Sequence, residues 1–446
     1  MKHKSRSPWA WVPTLYFAEG IPYVVVMTLA VIMYKKLDIS NTDIALYTSW
    51  LYFPWVIKPI WSPIVDTLKS KRWWIVTMQL FIGAGLAGVA FTIPTTFFFQ
   101  STLAFFWLLA FSSATHDIAA DGFYMYGMGE GQQAYFVGIR STFYRLAMIT
   151  GQGLLVYMAG QLEEMTLLGE GEPGRLEHWL LTLLGQDSMS IPMAWSLTFY
   201  FITGLFLLFA FYHKLALPHP SKDTDSHVKT VGDVMKEFWH TLVTFFGKKD
   251  IWVIMGVLLF YRLGESQLVK MASPFLLDAR EIGGLGLSTS DVGIVYGTIG
   301  VLFLTIGGIL GGILVSKHGL KFWLWPMVLA INLPNLVYVF LAYVQPESFA
   351  LVSIAVGIEQ FGYGFGFTAY MLYQIYVSEG EYKTAHFAFC TGFMAAGMML
   401  PGMISGWIQE MIGYQHFFIW VIICTIPSFV MVKLIKVNAT YGIKKK

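Results

Sequence analysis

The stretch SSATHDIAADGFYM, Ser112 to Met125, carries two aspartates and a histidine directly after eleven uncharged residues, Ser101 to Phe111. An ionised carboxylate in such hydrocarbon is expensive unless a partner, a proton or a water-filled cavity receives it. Asp117 and Asp121 stand four apart, which on a helix puts both carboxylates on one face. The next apolar stretch carries Arg140 and Arg145. If the first stretch enters the membrane from outside and the second from inside, a rise of 1.5 Å per residue sets the depths. Asp117 then lies about 14 Å and Asp121 about 8 Å above the inner end, with Arg140 about 10 Å and Arg145 about 18 Å above it. Depth therefore matches Asp117 with Arg145 and Asp121 with Arg140. Such pairs either only hold helices together or keep at least one member open to a cavity, as a gate or a substrate-binding group. The second reading is preferred, because a fully neutralised network is a costly way to join helices in lipid.

Other titratable groups fall deep in apolar sequence. Glu19 lies in YFAEGIPY and Lys58 in YFPWVIKPIWSP. Arg262 and Glu265 form an i, i+3 pair in FYRLGESQLVK, where Lys270 also falls, and Glu359 lies in GIEQFGYGFGFTAY. A carboxylate with no cation nearby is the natural proton carrier in lipid, since removal from water favours its neutral form. Glu359 meets that criterion best and Glu19 second; for each the alternative is a protonated carboxyl hydrogen-bonded across helices. His116 has the intrinsic chemistry of a proton relay, with a packed polar side chain as the alternative. A metal centre at Asp117, Asp121 and His116 is not expected, because two nearby arginines would oppose a bound cation. No HExxH motif is present, and GLSTS lacks the GxSxG pattern. Neither an enzyme nor a cofactor is expected.

The elements that position these residues follow from composition. Of 446 residues 56% are hydrophobic and only 13% charged, with a mean hydropathy of +0.59. Twelve apolar spans are predicted, at 10–34, 43–66, 73–93, 101–126, 133–158, 192–213, 251–276, 288–314, 321–343, 348–377, 383–408 and 414–435. The first is too long and too aromatic for a signal peptide and is read as helix one. Both cysteines, Cys390 and Cys424, fall inside spans, so no disulfide scaffold is indicated. With the N-terminus inside, twenty lysines and arginines fall on cytoplasmic segments and four, Lys35, Lys36, Arg175 and Arg280, on outer ones. That asymmetry places both termini in the cytoplasm. The net charge of +2 gives no reason to expect a nucleic-acid partner.

Two longer connections remain. The outer one, 159–191, contains Glu163, Glu164, Glu170, Glu172, Glu177 and Asp187, with LEHWLLTLLG as a short interfacial helix. The inner one, 214–250, includes VGDVMKEFWHTLVTFF, whose spacing suits an amphipathic helix on the membrane surface. It divides the chain into a six-helix half at 1–213 and another at 251–446. The halves resemble repeats: SPIVDTLKSKRWW follows span two as GGILVSKHGLKFWLW follows span eight, and spans five and eleven both open with Ala, a ring residue and Phe. Two such halves with a site between them suit a rocking secondary transporter. Glycine runs from Gly297 to Gly312 and Gly362 to Gly366 are expected to let helices approach closely. Pro54, Pro59 and Pro63 are expected to interrupt span two.

Several ordered segments carry a family resemblance: IKPIWSPIVDTLKSKRWW, SSATHDIAADGFYM, GIRSTFYRLAMITGQG, YRLGES and SPFLLDAREIGGLGLSTSDVGIVYGTIG. Together, over about residues 10 to 430, the chain resembles the muropeptide permease family of the major facilitator superfamily, which includes the acetyl-coenzyme A transporters of endomembranes. The resemblance implies an all-α integral membrane protein with a twelve-helix facilitator fold. It also implies proton-driven import of anhydromuropeptides across the bacterial cytoplasmic membrane. The family's paired helix-four aspartates fall on Asp117 and Asp121, its Lys-x-x-Trp-Ser-Pro motif on Lys58, Trp61, Ser62 and Pro63 with Asp66 following, and its helix-five arginine on Arg145. The helix-seven motif falls on Tyr261, Arg262, Leu263 and Gly264. The two additional helices of some bacterial members are not expected here, and Glu19 and the acidic 159–191 segment match no family feature.

The expected function is thus a proton-coupled importer of a sugar-peptide, working as a monomer in the lipid bilayer. Glu359, Glu19 and His116 are the proton-coupling candidates. Asp117, Asp121, Arg140, Arg145, Lys58, Tyr261, Arg262 and Glu265 are the gate or substrate-binding candidates. The alternatives are a facilitator for another bulky anionic metabolite and a polytopic receptor or scaffold through which nothing passes; the two-half layout and the Gly-rich spans speak against the scaffold.

Overall fold

The computed structural model describes residues 7–128, 130–167, 189–219 and 231–443, with positions 179, 181, 182 and 185 between them. Among these residues nine helices are long and apolar enough to cross a membrane. They are α1 (Pro8–Lys36), α4 (Lys71–Thr92), α5 (Phe98–Gly127), α8 (Ile191–Ala216), the Ile251–Leu277 span formed by α10 (Ile251–Phe260) and α11 (Leu263–Leu277), α12 (Thr289–His318), α13 (Leu320–Val344), α14 (Phe349–Ser378) and the Ala385–Leu434 stretch, which holds most of α15 (Lys383–Ile423) and α16 (Ile426–Leu434). The two other predicted spans are also helical. Residues 43–66 lie in α2 (Asn41–Trp50) and α3 (Phe53–Leu68), and 133–158 in α6 (Glu130–Ile149), a π-helical segment (Thr150–Leu155) and α7 (Val156–Leu167). An amphipathic helix, α9 (Val231–Phe246), lies in the 214–250 connection.

Local chemistry sets the helix ends. Ser40, Ser70, Ser190, Ser288 and Ser348 each accept a hydrogen bond from the backbone N–H three residues on, at the starts of α2, α4, α8, α12 and α14. Such caps satisfy donors that a helix start otherwise leaves open. Between the predicted spans eleven and twelve, Gly413 has φ 72° and ψ 167°, a conformation that only glycine takes without strain, and the helix direction changes there.

Two expectations are corrected. The helix α3 runs unbroken through Pro54, Pro59 and Pro63, and the interruption falls before them at Leu51 and Tyr52. Each proline removes a donor, but neighbouring groups in a polytopic protein can satisfy the freed carbonyls. The predicted outer connection begins later than expected, because α7 continues to Leu167 and carries Glu163 inside the fold. The segment LEHWLLTLLG and the acids Glu170, Glu172, Glu177 and Asp187 lie outside the described residues or at their isolated positions.

The chain divides into two compact units, built from the described residues of Met1–Ile39, Leu68–His227 and Ser288–Gly297, and of Ser40–Thr67, Val228–Leu287 and Thr298–Lys446. The first packs α1 and α4–α8 around aromatic side chains, with Phe106 placed 5.9 Å from both Tyr34 and Phe199 between ring centroids. The second has a core of Tyr261, Met327, Tyr370 and Phe389 among others, in which the Tyr261 and Tyr370 rings stack at 4.9 Å. The glycine runs permit the expected close approach there. A Cβ at Gly364 would lie 2.0 Å from the Leu304 carbonyl oxygen, and one at Gly307 would lie 2.2 Å from that of Phe361. No larger residue fits between α12 and α14 at these points.

Candidate functional sites within the two units

In the first unit α5 and α6 bring Asp121 and Arg140 together, with Arg140 Nη2 2.9 Å from Asp121 Oδ1. The guanidinium lies over the Tyr16 ring at 4.5 Å and 5.4 Å from the Tyr124 ring centroid, and the Tyr16 hydroxyl donates to Asp121 at 3.4 Å. Such stacking holds an arginine in place without neutralising it. Glu19, buried on α1 one turn beyond Tyr16, adds its field to that of Asp121 at Arg140. Asp117 is half-buried one turn before Asp121, and Arg145 is half-buried on α6. The arrangement is a charged, aromatic-walled cluster whose ions keep part of their surface open.

His116 points elsewhere. Its Nε2 lies 3.0 Å from Gln79 Nε2, the Gln79 amide meets His213 Nδ1, and His213 Nε2 lies 3.0 Å from Thr14 Oγ1. This buried chain links α5, α4, α8 and α1. A lone polar residue in an apolar span was the visible signal for each member, but only His116 was singled out. Glu163 anchors a third polar group: it accepts from the Trp195 indole at 2.7 Å and the Thr289 hydroxyl at 2.6 Å, and pairs with Lys36 at 3.3 Å.

In the second unit Arg262 and Glu265 form a bidentate pair, with Nε and Nη2 at 2.5 and 2.9 Å from the two carboxylate oxygens. Arg262 also donates to the Tyr363 hydroxyl at 2.9 Å and lies 4.9 Å from the Phe367 ring centroid. The pair sits at the break between α10 and α11, where Arg262 precedes the first residue of α11 without capping it and is buried. Tyr261 donates to the Gly366 carbonyl at 3.1 Å. Glu359 is buried on α14 and accepts from Gln360 at 2.9 Å; among the described residues no cation pairs with it. Lys58 is half-buried on α3. Near the end of α11, Asn41, Asp278, Gln409 and Tyr414 form a buried polar knot, with Tyr414 donating to Asp278 at 2.6 Å. At the ends of the Ile251–Leu277, Phe349–Ser378 and Ala385–Leu434 spans, a recess of about 370 Å³ is bordered by Lys248, Asp250, Glu379 and Lys436, and burial holds the Lys248 amine, outside the spans, below its ordinary range.

Long apolar helices that carry ionic clusters inside them define the class: an all-α, multi-pass integral membrane protein. The model of the Major Facilitator Superfamily matches residues 14–380, and the chain belongs to that superfamily, whose members are transporters and not enzymes. The anhydromuropeptide permease of Escherichia coli (strain K12) is 23% identical over 435 residues, covering 96% of this chain and 79% of that protein. Among solved structures, the nucleoside transporter NupG aligns with a TM-score of 0.65 at 15% identity, over 96% of this chain and 98% of its own. A D-xylose-proton symporter aligns with a TM-score of 0.66 at 13% identity, over 97% of each chain. At these identities both show the shared fold.

Proposed function

We propose that the chain is a proton-coupled secondary transporter that imports anhydromuropeptides, or related amino-sugar conjugates, across the bacterial inner membrane as a monomer. Two six-helix halves, 1–213 and 251–446, alternate access to the substrate, and both termini and the 214–250 connection lie in the cytoplasm. The observation that carries the reading is the extent of the likeness to an anhydromuropeptide permease, 96% of this chain. A proton symporter with the same fold supports the coupling.

The residues divide by setting. Glu359 is buried and has no paired cation among the described residues, so a proton can travel with it at the least cost in charge burial. Glu19 is the second candidate and His116 the relay. Asp121 and Arg140 are stacked, half-exposed and able to exchange partners, which suits the gate or the polar parts of a substrate. Asp117, Arg145 and Lys58 act beside them. Tyr261, Arg262 and Glu265 form the fixed counterpart of that cluster in the other half.

Uptake of a radiolabelled disaccharide-peptide into right-side-out vesicles tests this. Acidifying the outside is expected to drive accumulation that a protonophore abolishes. Labelled substrate that enters only down its own gradient, with no response to pH, would replace the symporter by a facilitator. No entry, with uptake of a different bulky anion, would replace the substrate.

A further inference from the structure

Lys270 lies on α11, 2% exposed, in a setting unlike that of the other buried cation of its unit. Arg262 is saturated by Glu265 and Tyr363. Lys270 Nζ donates once, to the Thr48 hydroxyl at 3.0 Å, and lies 5.2 Å from the Tyr52 ring centroid. Among the described residues no carboxylate is within ion-pair reach of it, and two of its three N–H donors have no acceptor. The Thr48 hydroxyl itself donates to the Ile44 carbonyl at 2.6 Å, so its lone pairs are turned to the ammonium.

A second buried polar group stands next in sequence to Thr48. The Ser49 hydroxyl is fully buried and has no hydrogen-bond partner. Gly402 of α15 faces both residues: a Cβ there would lie 2.8 Å from Ser49 Oγ and 3.4 Å from Lys270 Cγ. The Lys270 stem and the Ser49 hydroxyl thus both pack against Gly402, where the backbone approaches too closely for a side chain, and the spare donors of the amine and the hydroxyl lie on neighbouring positions of α2 and α11.

A buried amine with two donors unmet carries an uncompensated hydrogen-bonding cost, and protonating it there without a counter-charge would cost several kcal/mol more. A carboxylate supplies both the charge and the acceptors, in charge-assisted bonds about twice as strong as neutral ones. We propose that Lys270, with Ser49 and Thr48, binds a carboxylate of the transported substrate and sets its preference for anionic over neutral forms. The proposal rests on the transporter reading above and deepens it by naming a specificity residue.

The test compares wild type, Lys270→Met and Lys270→Arg with two labelled probes. One is the disaccharide-peptide with free carboxylates, the other the same conjugate with its carboxylates amidated. Wild type is expected to favour the acid form by about tenfold or more. Lys270→Met is expected to lose that preference while still carrying the amide, and Lys270→Arg to keep part of it. Equal loss of both probes, or an unchanged preference, would overturn the proposal.

A second readout needs no transport. Lys270→Met removes a buried amine with two unmet donors at the loss of one hydrogen bond, so its melting temperature in detergent is expected to equal or exceed that of wild type. Melting well below wild type, or failure to fold, would make Lys270 a structural strut and overturn the proposal. Wild type that carries neither probe would defeat the muropeptide reading, and the melting comparison would then decide the Lys270 proposal by itself.

Discussion

Arg140 and Asp121 in the first unit keep 33% and 42% of their side-chain surface exposed, whereas Arg262 and Glu265 in the second keep 9% and 1%. Each pair joins an arginine to a carboxylate, and both arginines lie over aromatic rings. Burial separates their chemistry. In a buried pair each ion has given up its water, and removal of one leaves the other stranded at a cost of several kcal/mol. A half-exposed pair keeps part of its surface uncovered by protein, so a solute that reaches it can displace either partner at less cost to the fold. The contrast assigns strength to the α10–α11 break and exchange to the α5–α6 cluster.

The largest expected effect breaks the strong side of this contrast. Arg262→Met leaves Glu265 buried without its cation and should cost about 3–5 kcal/mol of stability. Denaturant titration of the purified protein measures it, and adding Glu265→Leu should recover much of the loss. A single variant as stable as wild type would show that the pair is not locked. Next comes the polar knot of the same unit: Tyr414→Phe removes the hydroxyl that donates to Asp278 and should cost about 1–3 kcal/mol. An unchanged midpoint would mean that another donor takes its place.

On the exchangeable side, Arg140→Gln should shift stability by no more than about 1 kcal/mol while abolishing uptake. Large destabilisation together with lost uptake would make this pair a strut like its counterpart. The smallest effect is expected at Glu410, which accepts from the Thr42 backbone at 3.0 Å on an exposed surface. Glu410→Gln should change stability by no more than about 0.5 kcal/mol and leave uptake intact. A marked fall in uptake would bring this surface contact into the mechanism.

Much of the fold was legible because a bilayer demands long apolar helices, and hydropathy reads length directly. The helix Phe98–Gly127 extends its predicted span by three residues at its start and one at its end, and Phe349–Ser378 is offset by one residue from 348–377. Depth was legible too: a constant rise per residue matched Asp121 with Arg140 before any contact was known. The π-helical segment between α6 and α7 was not, since hydropathy is blind to backbone winding. Glu163 was assigned to a loop because an acid near the end of an apolar run reads as its end. Its partners Trp195, Thr289 and Lys36 are remote in sequence, and only the fold gathers them. The His116–Gln79–His213–Thr14 chain stayed hidden for the same reason, each member being an isolated polar residue in its own helix. That no described carboxylate reaches Lys270 depends on how α2 and α15 pack against α11, which the sequence does not show.

Separating proton carriage from ion pairing is the central claim, and Glu359 carries it. The most direct measurement follows labelled disaccharide-peptide in proteoliposomes containing wild type or Glu359→Gln, first in counterflow without a pH gradient and then with an imposed one. The variant is expected to exchange substrate at a rate near that of wild type and to lose gradient-driven accumulation. Undiminished proton-driven accumulation by Glu359→Gln would contradict the account and move the proton to Glu19.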